Sequence, residues 1–156
     1  MAEEINNISL SAKRAFSIDG DLNRIIHLDT SDMNILVRLE ETYPEIQKLA
    51  VEAGDRIIAS KDVEDEDKSP LTDMSEILKD IDKKMREKLN YIFASDIADI
   101  CEPTGNMYDP VGGEFRFEHI IDVLTTLYAN NITAEFKKMQ ERVKKHTAKY
   151  TGRRKK

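Results

Sequence analysis

A mainly α fold is predicted: an N-terminal β-hairpin, a helical bundle of about four helices, and a basic C-terminal extension. Three observations lead there. Residues 13–29 alternate apolar and polar side chains around an Asp-Gly turn. Residues 74–93 carry apolar side chains at helical spacing, the clearest stripe in the chain. Residues 115–143 carry a second stripe, after which lysine and arginine replace the apolar residues. The expected organisation is a flexible N-terminus at 1–12, one helical domain with its hairpin at 13–143, and a basic tail at 144–156.

The hairpin is expected over 13–19 and 22–29. Phe16 and Ile18 share one face, Ile26 and Leu28 another, and Asp19-Gly20-Asp21 supplies the turn. A lone hairpin is marginal in water, so its apolar face needs helices or a second subunit. Thr30-Ser31-Asp32 offers N-cap side chains for the next element. Met33, Leu36, Val37 and Leu39 suggest a short helix at 32–42, ended by Tyr43-Pro44. Pro44 suits the first turn of a new helix at 44–60, along Ile46, Leu49, Ala50, Ala53, Ile57 and Ile58. Gly54 inside it suggests close packing against the next helix.

Residues 61–70 read as an acidic linker. The next stripe runs through Met74, Ile77, Leu78, Ile81, Met85, Leu89, Ile92 and Phe93. Its helix is expected to reach about residue 101, with Ser95 as an alternative restart. Residues 102–114, with two prolines and three glycines, read as a loop. The last helix is expected over 115–149. Its face is Phe117, Ile120, Ile121, Leu124, Leu127 and Tyr128, then Ile132, Phe136, Met139 and Val143. Asn130-Asn131 marks a place to bend, and 151–156 is expected to be disordered.

The 156 residues, 40% of them hydrophobic, suit one domain with a core. A single cysteine, Cys101, rules out an internal disulfide and points to a reducing compartment. No apolar run approaches a membrane span, and MAEEINNISL lacks the order of a signal peptide. The net charge of −6 hides an asymmetry. Residues 137–156 hold ten Lys/Arg against one acid, a net +9, which leaves −15 on the rest. Charge runs ordinarily only solvate a chain. The sharper reading is that the basic end meets an acidic partner, with the 61–68 run of a neighbouring copy preferred.

Little in the chain names a chemistry. His27, His119 and His146 lack a ligand-spaced partner such as HExxH, so no metal site is expected. Cys101 has no paired histidine motif and reads as a packing residue. Gly112-Gly113 is followed by no phosphate-loop lysine. The DVEDED run lacks the loop glycine and closing glutamate of an EF-hand. No catalytic residue and no cofactor is expected. The candidate partner-binding residues are instead Ile25, Ile26 and Leu28 on an open hairpin edge, Met107 and Tyr108 in the long loop, and Lys144, Lys145, Lys149, Arg153 and Arg154 in the basic end. Ile25–Leu28 is apolar enough to recruit a second copy. The loop either tucks onto the core or forms a partner-binding lid.

Two stretches carry a resemblance. FSIDGDLNRIIHLDTSDMNILVRLEETYPEIQKL, residues 16–49, runs from a hairpin through a Thr-Ser-Asp cap to a helix with an aromatic-Pro step. IFASDIADICEPTGN and EFRFEHIIDVLTTL, residues 92–106 and 114–127, give a long helix, a Gly-containing loop and a terminal amphipathic helix. In order and texture the chain resembles the small tail assembly chaperones of long-tailed bacteriophages and prophages. The acidic insert at 61–68 and the basic end depart from that pattern. The resemblance implies a non-enzymatic chaperone that binds and solubilises the tape-measure protein while tail-tube (major tail) subunits assemble around it. It implies homo-oligomers in the cytoplasm of an infected or lysogenic bacterium, with no membrane partner. Alternatives are a structural virion, connector or tail-completion protein, and a nucleic-acid-binding module using the basic end. The last is disfavoured by the acidic remainder and the missing recognition-helix pattern.

Overall fold

A computed structural model describes residues 3–10, 12–62 and 70–154. The first regular element is the hairpin of β1 (Arg14–Ile18) and β2 (Asp21–Leu28). Asp19 and Gly20 both take positive φ, 53° and 73°, the two left-handed positions that a tight hairpin turn requires. Phe16 lies opposite Ile26, and Arg14 opposite Leu28. Ile26 and Leu28 point inward and are fully buried, whereas His27 between them is exposed. The hairpin packs against a short helix far along the chain, not against a second sheet.

Helix α1 spans Asn34–Asp62 without a break, so the expected division at Tyr43-Pro44 does not occur. Pro44 removes the amide that would bond to the Glu40 carbonyl, but both residues are exposed, so that carbonyl is open to solvent. The inner side of the helix meanwhile buries Ile35, Thr42, Ile46, Leu49 and Ala53. This also corrects the phase of the first turns. Ile35 is buried, while Met33, Leu36 and Val37 are exposed. Thr42 occupies an inner position because its hydroxyl donates to the Arg38 carbonyl at 2.6 Å, which hides a polar residue in the apolar seam. Gly54 is not pressed against a neighbour: nothing lies within 4 Å of where its Cβ would be.

Helix α2 (Pro70–Phe93) is the principal partner of α1 and buries Ile77, Ile81, Met85, Leu89, Ile92 and Phe93. Most of the acidic run at 61–68 lies outside the described residues. Helix α2 stops well short of residue 101. Ala94 adopts a left-handed φ of 49°, and the Ser95 amide closes back on the Asn90 carbonyl at 3.2 Å. The Asn90 side chain then accepts from both the Ile97 and Ala98 amides at 2.9 Å, starting α3 (Ala98–Cys101). The loop contains a two-residue ladder, β3 (Pro110–Val111) with β4 (Glu114–Phe115). Gly112 and Gly113 form its turn with φ of 60° and 84°.

Helix α4 (Arg116–Arg154) continues unbroken through Asn130-Asn131 and includes 151–154, where disorder was expected. Phe117, Ile120, Leu124 and Tyr128 bury its first half, with the Tyr128 and Phe93 rings 5.9 Å apart. The result is the mainly helical arrangement read from the sequence: a hairpin followed by four helices.

Candidate interaction surfaces

The loop after α3 is pinned, and one arginine does most of it. Arg86 on α2 donates from Nε to Asp82 at 2.9 Å, from Nη1 to Asp99 at 2.9 Å and the Glu102 carbonyl at 2.7 Å, and from Nη2 to the Gly105 carbonyl at 2.8 Å. Burial pulls its pKa down, but Asp82 and Asp99 outweigh that and the net shift is upward. The other oxygen of Asp82 accepts the Met107 amide at 2.8 Å, and Asn106 reaches the Leu78 carbonyl at 3.1 Å. Met107 and Tyr108 therefore lie in the core, 0% and 8% exposed. Tyr108 packs edge-on against Phe115 and Phe117, and burial pushes its hydroxyl up to about 12. The lid reading is withdrawn: these two side chains already pack within this chain.

The hairpin residues need the same correction. Ile26 and Leu28 belong to this chain's own core, so their side chains are not available to a second copy. Ile25 faces the other way and is half-buried. Arg24, which shares the inward parity of Ile26 and Leu28, holds the hairpin in place. It donates to the Ile100 carbonyl at 3.0 Å and the Cys101 carbonyl at 2.7 Å, capping the end of α3. Arg38 does the same for α2, donating to the Ile92 carbonyl at 2.8 Å while paired with Asp32 at 2.6 Å. None of these three arginines was singled out from the sequence. The readable signals were the strand parity of Arg24 and the i, i+4 spacing of Asp82 and Arg86.

The basic end is different. Lys144 and Lys145 are exposed on α4; the side chains of Lys149, Arg153 and Arg154 lie outside the described set. Phe136, Met139 and Val143 are 44%, 49% and 57% exposed, one helical face left uncovered among the described residues. Toward the body, the same helix and α1 border a groove with two cavities. One, of about 340 Å³, is lined by Tyr43, Ile46, Ala50, Phe117, Ile121 and the acids Glu118 and Asp122, among others. The other, of about 230 Å³, is lined mainly by Ile35, Leu36, Tyr128, Ala129 and Ile132. The outer side of α1 exposes a further set, Val37, Val51 and Ile58, and Met33 is exposed just before the helix begins.

Cys101 is half-buried, and burial pushes its thiol up to about 11, which keeps it protonated near neutral pH. Among the described residues, no group of three or more His, Cys, Asp or Glu side chains is placed to hold a metal ion. Among the same residues, no helix is long and apolar enough to cross a membrane. No protein-family model, curated protein or solved structure matches the chain.

Proposed function

We propose that this chain is a non-enzymatic tail assembly chaperone that holds the tape-measure protein in solution until tail-tube subunits enclose it. One structural observation supports this beyond the resemblance of residues 16–49, 92–106 and 114–127. The outer side of α1 presents Val37, Val51 and Ile58 to solvent, with Met33 exposed just before the helix, while the opposite side of that helix is buried in the core. A long helical client offers a complementary apolar stripe, and helix-on-helix docking needs no catalytic group. The acidic body keeps such an assembly soluble.

The test is co-expression with a tape-measure protein, the long helical client this reading requires. Wild-type chain should bring that client into the soluble fraction and co-purify with it. Val51→Glu with Ile58→Glu should abolish both effects and leave the fold intact, since both positions are exposed. A client that stays insoluble with wild-type chain overturns the reading. Recovery of the chain in finished particles would favour the tail-completion alternative.

A further inference from the structure

We propose that α4 pairs antiparallel with α4 of a second copy, about a two-fold axis between Ile132 and Phe136, so that each projecting arm fills the other's α1–α4 groove. The proposal does not depend on the chaperone reading. It begins with phase. Asp122, Thr125, Ala129 and Ile132 face the groove, and Phe136, Met139 and Val143 continue the same face at alternating steps of three and four. That is the seam spacing of a two-helix coiled coil. The groove and the uncovered stripe are thus two halves of one surface on one unbroken helix. The arm continues the helix that walls the groove, so it cannot fold back into its own, whereas another copy's arm can reach it.

Orientation follows from charge. Between 118 and 126 the helix carries Glu118 and Asp122 and no lysine or arginine. Between 137 and 149 it carries six Lys/Arg and one acid, a net +5. Parallel pairing would stack the two basic arms on each other. Antiparallel pairing lays each basic arm beside the other copy's acidic half. It also matches sizes along the seam. Ile132 meets Phe136, the small Ala129 faces the long Met139, and Thr125 faces Val143. Leu36 of α1, 58% exposed at the groove edge, is covered by the incoming arm. The apolar centre with charged ends gives the partner a definite chemistry: this same helix, reversed.

Light scattering on the full chain should give twice 17.9 kDa at micromolar concentration. Met139→Glu with Val143→Glu should halve that mass and leave the circular dichroism spectrum unchanged. On a Cys101→Ser background, mixing Ala129→Cys with Met139→Cys chains should give a disulfide-linked heterodimer under mild oxidant. Met139→Cys alone should stay uncross-linked. A wild-type chain that is monomeric up to its solubility limit overturns the proposal and leaves the groove to a client helix. A dimer that survives the double glutamate variant overturns it too. So does self-cross-linking of Met139→Cys, which would mean a parallel pair.

Discussion

Arg24, Arg38 and Arg86 each spend a guanidinium on carbonyls at or just beyond a helix end, and together they join the hairpin to α3, α1 to α2, and α2 to the loop. A lysine cannot replace any of them, because a single ammonium does not reach several fixed acceptors at once. Such partners are 12 to 77 residues away in sequence, beyond the reach of periodicity. What was legible was residue type and parity, as for Arg24. Cys101 illustrates the opposite case, where the packing role read from the sequence agrees with its half-buried position. Its pKa is raised, so the unfolded thiol ionises first. Its contribution to stability is complete below the unfolded value and declines as pH rises toward about 11. At pH 8 the native thiol should therefore alkylate about a hundred-fold more slowly than in denaturant, in proportion to its thiolate fraction. Equal rates in the two states would place Cys101 in open solvent.

Among the elements, strong and uniform stripes were readable and mixed ones were not. Helix α2 and the first half of α4 carry apolar residues at the expected positions, and both bury them as expected. Helix α1 misled because its seam includes Thr42 while Met33, Leu36 and Val37 advertise the wrong side. The loop misled because its order comes from Asp82, 25 residues away from the Met107 amide it accepts. The phase of α4 has a direct check. Leu124 is 5% exposed and its neighbour Val123 is 53% exposed. Leu124→Ala should cost about 2–5 kcal/mol in chemical denaturation. Val123→Ala should cost under about 0.5 kcal/mol. Similar losses at the two sites would contradict the helix orientation.

For the whole molecule, the separation of charge was visible in the sequence and survives folding: an acidic body and a basic helical arm. The sequence also placed the end of core packing near Val143. The structure moves it earlier, because Phe136, Met139 and Val143 are already outside the body. Groove and stripe could not be recognised as one surface before α1 and α4 were placed side by side. Deleting 144–156 should leave the melting temperature of dilute protein nearly unchanged, since the described side chains there pack on no core residue. A fall of more than about 5 °C would make the arm part of the core.

The span between Arg24 and its carbonyl acceptors has a consequence for synthesis. The hairpin leaves the ribosome before the Ile100 carbonyl it is tied to, which is 76 residues further on. At about 5–20 residues per second, that interval is roughly 4–15 s. Until α3 is made, Ile26 and Leu28 lack the short helix on which their strand packs. A nascent chain in this state exposes two side chains, Ile26 and Leu28, that the finished protein buries, so the hairpin is the segment on which ribosome-associated holdases should act first.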